Sequence, residues 1–170
     1  MLRNCLVLVT IFTAGCTSTY TRSDQANPTA KLEPDKIVAI AMPANGSYGG
    51  KEYVGSGSST ATSVRAAFAK FARETIVVPD CQTLSCLTQK AGANADYLVV
   101  PEILHWEDRN TEWSGKKDKL EVKISIYDAR STKLLAASLL AGKSKWATFG
   151  GDHPHDLLPE PINDYVATLF

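Results

Sequence analysis

Between residues 36 and 170 the apolar positions recur with two periods, and each change of period marks an element. "KIVAIAM" (Lys36 to Met42) is β-branched and apolar on both faces, as in a central strand covered on both sides. Pro43 ends it. The glycine-rich "ANGSYGGKEYVGSGSS" reads as a long mobile loop, with Ser58 or Ser59 placed to cap the next helix. That helix is expected from about Thr60 to Arg73, where Ala61, Val64, Phe68, Phe71 and Ala72 form one stripe at helical spacing. "TIVVP" is a short second strand. Leu84 to Ala91 reads as a short helix ended by Gly92. "ADYLVVPEILHWEDR" is a third strand, and Pro101 inside it lacks an N–H, which predicts a bulge or a locally unpaired position. After the polar turn "RNTEWSGKKD", "KLEVKISIYDA" alternates cleanly. Leu120, Val122, Ile124 and Ile126 take one face; Glu121, Lys123 and Ser125 take the other. "RSTK" is a tight turn and "LLAASLLAGKSKWATF" the returning strand. Pro161 suits the first turn of a final helix, whose apolar face is Ile162, Tyr165, Val166 and Leu169.

The element order is therefore β-α-β-α-β-β-β-α. Crossover helices imply parallel pairing at the start, and hairpins imply an antiparallel meander at the end. The expected fold class is mixed α/β (α+β): a single domain with a mixed sheet of about five strands and helices packed on it.

The N-terminus follows a different pattern. Arg3 precedes an apolar run from Cys5 to Phe12, far shorter than the roughly 20 residues a membrane span needs. It fits the core of a secretory signal, with small residues before the cut. Thr13-Ala14-Gly15-Cys16 resembles the lipobox of bacterial lipoproteins, although Thr13 stands where Leu is usual. The resemblance implies cleavage before Cys16 and acylation of its thiol and new amine. Thr17 follows in place of the Asp that retains such proteins at the inner membrane, which implies the outer membrane. "TSTYTRSDQANPTAKLEP" holds two prolines and hardly any aliphatic residues, so it reads as a flexible tether. The expected organisation is a signal peptide over 1–15, a tether over 16–35 and a periplasmic domain over 36–170.

Charge excludes one class of partner. The 18 Lys and Arg balance 18 Asp and Glu, so no bulk field favours nucleic acid. In an oxidising compartment Cys81 and Cys86 form an even pair, expected as a disulfide; two buried thiols are the alternative. C-x4-C has no second pair at zinc spacing.

Candidate chemistry is sparse. "FGGDHPHDLLPEP" brings Asp152, His153, His155, Asp156 and Glu160 near one another in sequence. His153 and His155 are the only candidates for a metal, but H-x-H in a proline-rich loop is not a strong metal spacing, and Asp156 can equally cap a turn. The "VGSGSSTA" loop feeds a helix N-terminus without the Gly-Lys-Ser/Thr of a phosphate-binding loop. His105 reads as a structural residue, and Trp106 and Trp146 as packed. Trp113 lies in a polar turn, where burial is hard. With Tyr48 and Tyr53 it makes the expected partner-contact set, because exposed aromatics offer large contact area at low entropic cost. No catalytic spacing, and no cofactor, is expected.

The succession "TSVRAAFAKF", "ADYLVVPEILHWEDR", "KISIYDA", "SKWATFGGDHP" and "DLLPEPINDYV" resembles a family of uncharacterised Gram-negative lipoproteins classed as a domain of unknown function. The element order is also similar to the periplasmic modules of the curli-secretion lipoprotein and of the lipoprotein activator of a penicillin-binding protein. Together these readings lead us to expect a non-enzymatic lipoprotein at the periplasmic face of the outer membrane. It would be joined to the bilayer through acylated Cys16 and bind an envelope protein. The alternatives are a soluble ring-forming secretion component and a small-ligand or metal binder using residues 152–156.

Overall fold

The computed structural model describes residues 18–109, 117–145 and 153–170. In chain order these form β1 (Thr19–Ala26), β2 (Ile37–Ala41), a small hairpin of β3 (Ser47–Tyr48) and β4 (Lys51–Glu52), then α1 (Ser56–Phe68) and β5 (Glu74–Val78). There follow α2 (Leu84–Ala91), β6 (Tyr97–Glu107), β7 (Lys119–Asp128), β8 (Leu134–Lys143), a 3-10 turn (Pro154–Leu157) and α3 (Pro159–Ala167). Six strands make one mixed sheet in the order β1-β8-β7-β6-β2-β5. β2 runs parallel to both β5 and β6, while β6, β7, β8 and β1 are antiparallel neighbours. The mixed α/β class and the parallel-then-meander logic therefore hold, with one strand more than expected.

The periodicities explain the layers. Val64 and Phe68 of α1, and Ile162, Tyr165 and Val166 of α3, pack on one sheet face against Val38, Ile40, Val122, Ile124 and Ile126. On the other face Leu87 and Ala91 of α2 cover Ala39, Ala41, Leu98 and Val100. β2 is thus buried on both sides, as its unbroken apolar run requires.

Two expectations need correction. Residues 19–26, read as tether, are an edge strand paired with β8 from Thr19↔Lys143 to Ala26↔Ala137. An edge strand needs little apolar surface, and this one is fastened from the side: the Arg22 guanidinium lies 4.8 Å over the Tyr165 ring and chelates Asp24 at 2.6 and 3.0 Å. The rest of the expected tether is also fastened, since Leu32 is buried and its N–H donates to the Leu169 carbonyl at 2.8 Å.

The second correction concerns the glycine-rich segment, which is not a featureless loop. It forms the β3–β4 hairpin, and α1 starts at Ser56 with Gly55 as its N-cap at φ 90°. No Ser58 or Ser59 cap is used. Instead the Asn45 side chain reaches ten residues forward and accepts from the N–H groups of Gly55 and Gly57, both at 3.2 Å.

Of the two alternatives read at Pro101, the unpaired position is the one found there, and the bulge falls further on, between Ile103 and His105. Pairing of β2 with β6 stops at Val99, so Pro101 sits where that edge has no strand to donate to.

Candidate functional site

The bulge sets the chemistry of the end of β6. Val99, Pro101 and Ile103 face β7 partners Ile126, Ile124 and Val122, all core residues. Strict alternation would next send His105 and Glu107 into that core. The extra residue, Leu104, is left exposed and reverses the phase, so Trp106 turns inward opposite Leu120 and His105 and Glu107 turn to the other face.

There Glu107 is buried and pairs with Arg109, with His105 Nε2 at 3.1 Å and with Lys119 at 3.6 Å. Burial pushes its carboxyl up, but hydrogen bonds from His105 and Arg109 and the charges of Lys119 and Arg109 outweigh burial, and the net shift is downward. The hairpin closes over this group. Tyr48 meets the His105 ring edge-on at 5.0 Å, and the Arg109 guanidinium lies 5.6 Å from the Tyr48 ring centre. Gly46 makes that approach possible, since a Cβ there would stand 2.5 Å from Cβ of Trp106.

Beside the cluster an open cleft of about 400 Å³ is lined by Tyr53, Val54, Ser59, Trp106, Asp108 and His155 among others. The Tyr53 hydroxyl donates to the Asp108 carbonyl at 3.4 Å, and Lys51 lies 4.7 Å over the Tyr53 ring. His153 Nδ1 stands 3.3 Å from Asp108, and the rings of His153 and His155 stack at 5.4 Å. The Asp156 carboxylate accepts from the His153 N–H at 3.0 Å, the turn-capping role open to it in sequence.

Residues that were scattered in sequence (Tyr48, Tyr53, His105, Trp106, His153 and His155) thus gather at one end of the sheet. Trp106 is packed, as read. Trp113, Trp146, Asp152 and Cys16 lie outside the described residues. Among the described residues no three His, Cys, Asp or Glu side chains converge as a metal site. Cys81 and Cys86 are joined as a disulfide, apart from this cluster, where they tie the end of β5 to the start of α2. Sequence reasoning passed over Glu107 and Arg109, since at the end of a strand read as "ADYLVVPEILHWEDR" they look like solvated charges unless the bulge is known.

A mixed sheet with α1 and α3 on one face, α2 on the other and a hairpin folded over the end of β6 defines a small α/β sheet domain. The chain belongs to the family described as a domain of unknown function (DUF4823), whose model matches residues 30–169. No curated protein matches it significantly. Among solved structures it is similar to the PelC dodecamer from Paraburkholderia phytofirmans, with 14% identity, 89% of this chain and 96% of that chain covered, and a TM-score of 0.66. The hypothetical protein CT253 from Chlamydia trachomatis is similar over 78% of this chain and 93% of that one, with 11% identity and a TM-score of 0.50. Lipoprotein GNA1162 from Neisseria meningitidis follows with 12% identity, coverage of 78% and 96%, and a TM-score of 0.44. At these identities the likeness is one of fold. No helix among the described residues is long and apolar enough to cross a membrane.

Proposed function

We propose that this chain is a lipid-anchored envelope protein that acts by binding a protein partner through its hairpin end, not by catalysis. The lipobox-like Thr13-Ala14-Gly15-Cys16 supports the anchor, and Thr17 supports the outer membrane. The observation that carries the binding role is the surface of the hairpin end. Tyr48 is 41% and Val54 88% exposed, side by side with Lys51, Tyr53 and Arg109. Aromatic and arginine side chains presented with an exposed aliphatic one are the composition of an interface centre. Anchoring adds effective concentration for any partner held at the same membrane.

A photocrosslinking residue at position 54 in intact cells tests this directly. It should trap one defined envelope protein, while the same group at Leu134, exposed at the far end of the sheet, should not. Equal or absent adducts at both positions would contradict the reading. Cys16→Ser should move the chain out of the envelope fraction.

One observation favours a second reading, a ring built from copies of this chain: the solved fold that covers 89% of it is that of a dodecamer. Light scattering on the purified full chain would then give a mass many times that of a monomer. A monomer at micromolar concentration would dismiss the ring.

A further inference from the structure

Strand registers align one row of residues across the end of the sheet. Thr19 of β1 pairs with Lys143 of β8, Lys143 pairs with Lys119 of β7, and Lys119 pairs with Glu107 of β6. Directly opposed residues on neighbouring strands point to the same face, and like charges so placed repel. Lys119 and Lys143 are such a pair, and both are exposed. The ladder continues past the strands: the Ser144 N–H donates to the Asp118 carbonyl at 3.0 Å, and the Asp118 N–H donates to Ser144 Oγ at 2.9 Å. That holds Lys117 and exposed Lys145 alongside the first two lysines. The carboxylates nearest this row are engaged, while Glu52 of the hairpin and Asp156 of the 3-10 turn are exposed at the same end. Glu107 and Asp118 are buried, Asp118 accepting from the Arg109 N–H at 2.5 Å, and Asp108 pairs with His153. Among the described residues the row of Lys117, Lys119, Lys143 and Lys145 is therefore a cationic strip. The opposite end of the sheet is not: Glu33, Asp96 and Asp128 line a cleft there with Lys36 and Arg130.

The same row begins β1, and Thr19 is three residues from Cys16. Three residues reach at most about 11 Å. If Cys16 carries acyl chains, Thr19 cannot leave the bilayer surface by more than that, and Lys143 and Lys119 follow one and two strands away, because the segment expected to act as a leash has become a strand.

We propose that this end of the sheet is a membrane-docking face, on which Lys117, Lys119, Lys143 and Lys145 bind anionic phospholipid headgroups and fix the orientation of the domain. The inference rests on the anchor reading above. It also leaves the hairpin at the rim of the docked face, within reach of a partner in the same membrane. Clustered lysines beside a lipid anchor gain from the negative surface potential within a Debye length, and that gain is screened by salt.

Lysine labelling tests it. The full chain purified from envelopes is reconstituted in phosphatidylethanolamine vesicles containing one quarter phosphatidylglycerol, and amine acylation rates are compared with those in neutral detergent. Lys117, Lys119, Lys143 and Lys145 should be protected several-fold on the vesicles, with Lys36 and Lys133 at the far end unchanged. Protection should fall in pure phosphatidylcholine or at high salt. The mass of the N-terminal peptide from the same sample reports the anchor separately. An unacylated Cys16 overturns the anchor reading and this one with it. An acylated Cys16 with all six lysines labelled at detergent rates overturns the docking face alone, as does equal protection on phosphatidylcholine.

Discussion

Glu107 shows how much a single residue can depend on one local irregularity. Its carboxylate is buried yet held below its ordinary value of 4.5, so its contribution to stability is present above that pH and is lost as pH falls through the lowered folded value. Glu107→Gln should cost about 1–3 kcal/mol at neutral pH, because Arg109 and Lys119 lose their common anion. In chemical denaturation at a series of pH values, the gap between the native chain and the variant should narrow on acidification below that ordinary value. A constant gap would mean the carboxylate is not ionised in the fold. The apolar core residues were legible from alternation alone: Leu120, Val122, Ile124 and Ile126 are all buried as the pattern requires. Glu107 and His105 were not, because one inserted residue at Leu104 reverses the side-chain phase and nothing in the composition announces it.

At the scale of elements, strength of periodicity decided what could be read. α2, β2 and the β6–β7–β8 meander have clean apolar patterns, and each lies where the pattern put it to within a few residues. β1 has no such pattern, because an edge strand over a polar flank satisfies its backbone without burying side chains. What reveals it is tertiary: Arg22 over Tyr165 and the ladder to β8. Native-state hydrogen exchange should therefore find alternate amides within residues 19–24 protected to nearly the level of β8. Exchange at the free-peptide rate would restore the tether. The cysteine pair was legible from parity and the expected compartment, and its two members stand only five positions apart between the end of β5 and α2. Replacing both cysteines by alanine should lower stability by about 2 kcal/mol on loop entropy, measured by urea unfolding, with the fold retained. A loss near zero would show that the strand end and helix start are held by packing alone.

For the whole molecule, a balanced net charge conceals its distribution. Lysines gather at the end of the sheet where β1 begins, and Glu107 and Asp118 beside them are buried. That asymmetry could not be read from the sequence, since Lys119 and Lys143 are 24 positions apart and meet only through the β7–β8 register. The hairpin with Tyr48 and Tyr53 and the turn with His153 and His155 come to the same end for the same reason: the parallel strands and the meander both finish there. Membrane docking requires that this end be held at a bilayer, and partner binding gains effective concentration from it. The most direct measurement is the mass of the N-terminal peptide of the native chain isolated from membranes. The account predicts a peptide beginning at Cys16 and carrying fatty acyl chains on it. A mature chain that retains residues 1–15, or one whose Cys16 is bare, would contradict it.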